Sequence, residues 1–381
     1  MRKLKFVFQI IIAFIVALAA YSGLYQPNAE SVRAAVKNNL PQSMQQKQDT
    51  GTAQGRLRIS VLDVGQADAI LLQDGKRNIM VDVGNDVKDK VGDSGGRQAL
   101  IKALDKAGVN RIKTVFVTHH HRDHMGNIMY VRGKYGVSNI YDSGYVNNGY
   151  KASVALNSDL RAGRYNGQAL KAGDKITIDK NYYIEVLAPG DFLSKKDLKN
   201  MNNTSLVLML HYGSFKMLLT GDAEAPVEDA LQQKYGTALQ ADVLKVGHHG
   251  SNTSTGYRFL NEVAPDYAVI SVGKDNSYGH PHEEPLSRLN QAGVTIFRTD
   301  ELGTVIARSD GATVSLTWDN QSANPENAES AEPVRFIGNV NSHIFHSPDC
   351  RNLPAEKNRT VFDTYEEAVE AGYTPCGSCL G

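Results

Sequence analysis

With 381 residues, 41% of them hydrophobic, the chain can bury one large core and carry appendages, which excludes a disordered or fibrous protein. Its 41 Lys and Arg balance 41 Asp and Glu, so no basic excess announces a nucleic-acid binder and nothing follows about the sign of a substrate. Cys350, Cys376 and Cys379 are the three cysteines, and their position near the end leaves the main body without a disulfide framework.

In chain order, Arg2, Lys3 and Lys5 precede an apolar run from Phe6 to Ala20 that holds Ala17-Leu18-Ala19, the pattern of an export signal cleaved after Ala19. The stretch from Phe6 to Tyr25 is also long enough to stay as a membrane tether. Either way residues 1–25 are expected to export the body, secreted or anchored on the extracellular face of the bacterial cytoplasmic membrane. Residues 26–55, with Pro27, Pro41 and the Gln-rich stretch Gln42 to Gln48, read as a solvated linker.

The folded body is expected over 56–318. Strand-like runs at Leu57 to Val64, Ala69 to Gln73 and Asn78 to Val83 lead to a helix around Gly96 to Ala107 and a strand at Thr114 to Thr118. A hairpin follows at Ser205 to His211 and Ser214 to Thr220, turned at Tyr212-Gly213. Next come a strand at Ala241 to Val246, a helix at Thr255 to Val263 and a strand at Asp266 to Val272. The pattern is α/β. Residues 319–334, rich in Asn, Glu, Ser, Ala and Pro, read as a second linker, and 335–381 as a compact tail.

Eleven His are present, and four fall between positions 119 and 124. An extended backbone lets His119 and His121 aim at one point, while Asp123 and His124 stand where a helix would begin. Imidazole and carboxylate are the ligands that Zn²⁺ or Mn²⁺ accepts in open catalytic sites. His119-x-His121-x-Asp123-His124 resembles the metallo-β-lactamase superfamily, which implies a four-layer αββα sandwich. The resemblance continues through Asp82, expected to orient a ligand His, Asp222 as a residue shared by two ions, and His248 as the last His ligand. His249 is its substitute or a substrate-facing neighbour. It therefore implies two divalent ions, one on His119, His121 and Asp222 and the other on Asp123, His124, Asp222 and His248, sharing a bridging hydroxide as nucleophile.

Between the main motif and Asp222 only His211 is available, beside a hairpin turn, and it is expected to be structural. That weakens the β-lactamase and thiol-ester branches. Leu62-Asp63-Val64-Gly65-Gln66, Asn203-Thr204-Ser205, His248-His249-Gly250-Ser251 and Tyr278-Gly279-His280-Pro281 resemble the hydrolase domain of ComEC-type competence proteins. Ala67 departs from that family's usual Gly before Asp68. The resemblance implies phosphodiester hydrolysis, with DNA as substrate, and Asp123 and His280 as catalytic residues. Asp63 and Asp68 are expected near the centre, with Asn203 and Ser205 there or on substrate oxygens. Two alternatives stay open: a phosphodiesterase of cell-wall teichoic acid, for which choline-binding repeats are missing, and a non-catalytic docking protein with a structural metal.

In the tail, His346-x3-Cys350 and Cys376-x2-Cys379 supply the four ligands of a structural zinc. With Phe336-Ile337-Gly338-Asn339 and Ala371-Gly372-Tyr373-Thr374-Pro375, they resemble the zinc-binding module of Ada-type DNA-repair proteins. A Cys376 to Cys379 disulfide is the rival. Arg335, Arg351, Lys357 and Arg359 face six tail carboxylates, so charge argues for a stabilising or docking module rather than phosphate binding. The sequence assigns the tail no protein partner.

Overall fold

The computed structural model describes residues 57–325 and 335–380, apart from 76, 87–95, 349, 364 and 378. The export segment, the 26–55 linker and 326–334 of the second linker lie outside the described residues. Residues 54–381 form one compact unit.

The chain opens with β1 (Leu57–Val61), β2 (Ala69–Gln73) and β3 (Asn78–Val83), followed by helix α1 (Gly96–Lys106) and β4 (Thr114–Phe116). The short α2 (Arg122–Met125), α3 (Ile128–Tyr135), β5 (Asn139–Tyr141) and α4 (Lys151–Arg161) come next. A second set begins with the meander β6 (Lys175–Asp179), β7 (Tyr182–Ala188), β8 (Val207–Tyr212) and β9 (Phe215–Leu219). It continues through α5 (Ala225–Tyr235), β10 (Val243–Lys245), α6 (Tyr257–Val263), β11 (Tyr267–Ile270), α7 (Glu283–Gln291) and β12 (Thr295–Arg298). After α8 (Thr299–Leu302), β13 (Val305–Ser309) and β14 (Val314–Trp318) return to the first sheet.

Two seven-stranded sheets result, ordered β14-β13-β1-β2-β3-β4-β5 and β12-β11-β10-β9-β8-β7-β6. Strand periodicity explains why they stack. Leu57, Ile59 and Val61, with Ile79 and Val81, point from the first sheet into one core shared with Leu208, Leu210, Met217 and Leu219 of the second. The alternate residues Leu71, Met80 and Val115 face Leu100, Leu104, Ile128, Val131 and Leu156 of α1, α3 and α4. On the other side Val207, Met209, Leu218 and Leu244 face Val227, Leu231, Phe259, Leu260 and Leu289 of α5, α6 and α7. The four layers run αββα, and each such buried aliphatic side chain contributes about 1.5–3 kcal/mol of transfer free energy.

Strands β2 and β3 keep the expected bounds, while β1, β4, β10 and β11 are shorter than the apolar runs that announced them. The first run ends at Val61 because the chain leaves the sheet for the loop closed by the Leu62 N–H to Ala69 carbonyl bond of 2.9 Å. The hairpin turns where expected, Gly213 taking φ of +63°. Residues 319–325 do not swing free: Asp319 pairs with Lys106 at 2.8 Å, and the Trp318 indole donates to the Ala323 carbonyl at 2.9 Å.

The tail forms a small sheet of β15 (Phe336–Asn339), β16 (Ile344–His346), β17 (Arg359–Phe362) and β18 (Thr374–Pro375), in order β17-β15-β16-β18, with helix α9 (Tyr365–Glu370) between the last two in sequence. Its core includes Phe336, Phe345 and Phe362, and it takes Tyr257 of α6 into the same cluster. Tyr257 stacks on Tyr365 at 5.8 Å and meets Phe336 edge-on at 5.1 Å, and Arg258 donates to the Tyr365 hydroxyl at 3.3 Å.

Candidate metal centre

Strands β3, β4 and β5 run parallel in one sheet, and β9 to β12 run parallel in the other. Parallel strands deliver their carboxyl ends to one edge, where polar side chains can leave the sheet without breaking a ladder. Asp82 ends β3, residues 117–124 follow β4, Asp222 follows β9, and His248 and His249 follow β10.

Two ligand groups that share Asp222 form there, beside a third of Asp68, Asp82 and His124. His119, His121 and Asp222 converge in one, and Asp123, His124, Asp222 and His249 in the other, with their ligand atoms within 4.8 Å of one another. Asp222 belongs to both. Its Oδ2 lies 3.7 Å from His119 Nε2, and its Oδ1 lies 3.1 Å from His124 Nε2 and 3.7 Å from His249 Nε2. Gly221, at φ of +53°, brings Asp222 inward, and a Cβ there would stand 3.0 Å from both Ser205 Oγ and Thr118 Cβ.

Surrounding bonds fix the ligand rings. Asp82 accepts from the Thr118 N–H at 2.7 Å and the Thr118 hydroxyl at 2.7 Å, and its Oδ2 lies 2.8 Å from His124 Nδ1. His249 Nδ1 donates to the Ser271 carbonyl at 2.8 Å. Nδ1 is thus engaged in both rings, and Nε2 of each faces the carboxylates. His124 Nε2, His249 Nε2 and Asp222 Oδ1 are buried and make no well-formed hydrogen bond, although the first and last stand 3.1 Å apart. Buried polar atoms left in that state cost about 1–3 kcal/mol each, and a divalent cation is the group that satisfies imidazole nitrogen and carboxylate oxygen together. The donor set fits it. Electrostatics agree: burial disfavours a charged His249, yet Asp222 and Asp68 outweigh it and push the ring up to about 10. Burial opposes charge on His124 too, but Asp222, Asp82 and Asp123 raise it well above its ordinary value. The carboxylates draw positive charge into this cavity.

His249, not His248, stands in the ligand group. Both residues hold left-handed backbone, φ of 50° and 54°, conformations that cost of order 1–3 kcal/mol for non-glycine residues and concentrate at functional sites. The tight turn sends the two rings apart. His248 turns to Thr253 Oγ1 (3.1 Å), Glu224 Oε1 (3.5 Å) and Asn202 Nδ2 (3.4 Å), leaving its Nε2 3.8 Å from Asp222 Oδ2.

Of the residues expected around the centre, Asn203 and Ser205 are buried. Asn203 donates to the Asp197 carbonyl at 3.2 Å and accepts from the Glu224 N–H at 3.2 Å, and buried Ser205 accepts from the Asp222 N–H at 3.1 Å and stands 3.3 Å from His119 Nδ1. Ser205 thus supports two ligands, His119 and Asp222, whereas Asn203 ties the loop at Asp197 to Glu224. Asp63 turns its own loop, accepting from the Gly65 N–H at 3.5 Å, and enters neither ligand group. His211 lies away from the centre, with Nε2 3.1 Å from Glu185 Oε2 and its ring stacked on Tyr183.

Two contributors carried no sequence signal strong enough to name them. Lys245, wholly buried, puts Nζ 2.9 Å from Asp68 Oδ2, whose partner oxygen lies 3.4 Å from His249 Nδ1. Despite the Ala67 departure, Asp68 is therefore held in place, and Lys245 and His249 depress its carboxyl below the ordinary range against the opposing effect of burial. A Lys inside an otherwise apolar strand is the clue that could have pointed to it. Gln66 accepts from the Gly273 N–H at 3.0 Å, which orients its amide Nε2 toward His280 Nδ1 at 3.3 Å. In the tail, His346, Cys350, Cys376 and Cys379 converge with ligand atoms within 4.8 Å, and none of the cysteines is in a disulfide. Four soft ligands in that arrangement suit zinc.

Residues 62–274 match the Metallo-beta-lactamase superfamily, and residues 321–380 match the Metal binding domain of Ada. ComE operon protein 3 of Bacillus subtilis (strain 168) is 32% identical over 262 residues, covering 65% of this chain and 32% of that protein. Competence protein ComA of Neisseria gonorrhoeae is 32% identical over 248 residues, covering 64% of this chain and 31% of that protein. The chain thus spans about a third of the length of these relatives. The metallo-beta-lactamase fold protein YhfI from Bacillus subtilis superposes with a TM-score of 0.42 at 14% identity, covering 68% of this chain and 100% of that one. With the ligand motif, the layered fold and a family match over more than half its length, the chain belongs to the metallo-beta-lactamase superfamily and carries an Ada-type metal-binding domain behind it.

Proposed function

We propose that the chain is an exported two-metal phosphodiesterase acting on nucleic acid, with DNA as the first candidate. The observation that carries this reading is Asp222, whose two oxygens lie in two separate ligand groups. In it, His119, His121 and Asp222 hold one Zn²⁺ or Mn²⁺, and Asp123, His124, Asp222 and His249 hold the other. Such ions, when bound, supply Lewis acidity toward a phosphoryl oxygen and a water acidified enough to attack near neutral pH.

The chain's own groups do the positioning. Asp82 and Ser271 hold His124 and His249, and Ser205 fixes the Asp222 backbone. His280, whose Nδ1 faces the Gln66 amide, keeps its other nitrogen to donate to a developing negative charge. Burial and the neighbouring His249, His248 and His282 lower its ring to about 4, so it acts as a neutral donor rather than as an imidazolium acid. The names of the competence relatives support the nucleic-acid assignment, and the basic, then apolar, start of the sequence supports export. A zinc in the tail is structural in this reading.

The test is a panel of single- and double-stranded DNA, RNA and bis(p-nitrophenyl) phosphate with Zn²⁺- or Mn²⁺-loaded protein, and an Asp222→Ala control. Turnover of a nucleic acid, lost in the control, is expected. No turnover of any diester overturns the proposal.

A further inference from the structure

The loop at 273–282 carries a feature that the metal centre leaves unused. Tyr278 is 63% exposed, the one aromatic among the strongly exposed large hydrophobic residues described. It lies on His280, with ring centroids 5.6 Å apart and planes 26° from parallel. His280 in turn meets the His248 ring at 5.6 Å, and His248 Nε2 is 3.8 Å from Asp222 Oδ2. An exposed ring thus stands two aromatic groups from the ligand shared by both groups.

The loop is built to hold that ring still. Asn276 Oδ1 accepts the N–H groups of Tyr278 and His280, each at 3.1 Å, and its Nδ2 donates to the carbonyls of Gly273 and His280. From the other side Gln66 holds both the Gly273 N–H and the His280 ring. A platform fixed before binding loses less entropy on binding.

Asn276, Gly279 and His280, on either side of Tyr278 in the chain, open onto a cavity of about 630 Å³. It is lined by Lys274 and Arg298 against Asp275, Asp300 and Glu301, and Arg298 is already paired with Asp300 at 2.7 Å and Glu301 at 3.0 Å. With Arg298 so paired, the rim offers a phosphate backbone no net positive charge. A neutral planar group is what suits this rim.

We propose that Tyr278 is the stacking platform for a nucleobase flanking the scissile diester. The platform is sequence-tolerant, because every base has a π face and the loop's amide groups are already spent on the loop itself. It rests on the phosphodiesterase reading and sharpens it: the substrate is a single-stranded or frayed segment whose base can leave its neighbours, and a diester without bases gains nothing from this residue.

The full chain, wild type and with Tyr278→Ala, Tyr278→Phe and Tyr278→Trp, is compared on a fluorescein-labelled oligothymidylate and on the same chain length with abasic residues. Anisotropy gives affinity, turnover gives KM and kcat, and thermal melts check the fold. Tyr278→Ala is expected to weaken oligothymidylate affinity and raise its KM roughly 5- to 150-fold, the worth of one stacked base, with little change on the abasic chain. Phe and Trp restore affinity, and the Trp fluorescence of Tyr278→Trp, corrected for that of the wild type, is quenched by oligothymidylate. Equal affinity of Tyr278→Ala and wild type for oligothymidylate, or an equal loss on both ligands, overturns the platform. Failure to cleave any diester, with the Tyr278-dependent binding retained, overturns the hydrolase reading instead and leaves the platform standing.

Discussion

Lys245→Met removes one charge from a pair that solvent cannot reach. The side chains of Lys245 and Asp68 are 0% and 1% exposed, with Nζ 2.9 Å from Oδ2. Methionine keeps the stem and deletes the ammonium, which leaves Asp68 to be balanced by His249, 3.4 Å away, and by His124. Breaking a buried pair by removing one partner costs about 3–5 kcal/mol. At about 2–4 °C per kcal/mol for a domain of comparable size, the melting temperature falls by roughly 6–20 °C. The assay is thermal and urea unfolding of wild type, Lys245→Met, Asp68→Asn and the double variant. The double variant leaves no orphaned charge and recovers at least about 1 kcal/mol relative to the sum of the single losses. The pH dependence has a definite sign. Asp68 has its folded pKa depressed, so the stabilisation is present above the ordinary carboxylate range and is lost as pH falls through the lower folded value. Lys245→Met loses most of that acid-side dependence. A cost under about 1 kcal/mol for Lys245→Met, or strict additivity in the double variant, would refute the reasoning.

His249→Ala is expected to release one of two bound ions, whereas His248→Ala keeps both; metal analysis of the gel-filtered proteins decides, and the reverse pattern returns the ligand role to His248. Asp82→Ala, which frees the His124 ring, weakens ion affinity by about 10–100-fold in a chelator competition. Glu228, buried on α5, accepts from the N–H groups of Thr255 (2.6 Å) and Gly256 (2.9 Å), and burial pushes its carboxyl up to about 7. Between its unfolded value of 4.5 and about 7 the folded state holds a proton that the unfolded state has lost. Stability therefore falls as pH rises, by about 3 kcal/mol across that window, and the stability lead of wild type over Glu228→Gln narrows from pH 5 to pH 8. A lead that does not change with pH counts against it. Tyr257→Ala removes the ring that the tail core encloses, at a cost of about 3–5 kcal/mol. It should speed proteolytic release of the tail without removing its zinc, and an unchanged cleavage rate contradicts the docking.

By itself the sequence determined the α/β class and singled out most of the candidate ligands, because those signals are local, while the four-layer arrangement came only through the family resemblance. Apolar alternation runs along each strand and stops where the backbone leaves the sheet, and Asp82, His119, Asp222 and the two adjacent His stand at those stops. The tail cluster was legible for the same reason, since His346-x3-Cys350 and Cys376-x2-Cys379 are short-range spacings. Tertiary structure decided what depends on groups far apart in the chain. Which neighbouring His turns inward is set by the Ser271 carbonyl and Asp68, not by spacing, as both residues share the same left-handed backbone. Lys245 finds Asp68 only when β10 is laid beside the loop after β1, and Ser205 meets the Asp222 N–H only when the chain before β8 is brought against the turn after β9. A buried charge or polar group must be answered by whatever partner the packing brings within about 3 Å, and a linear sequence does not contain that distance.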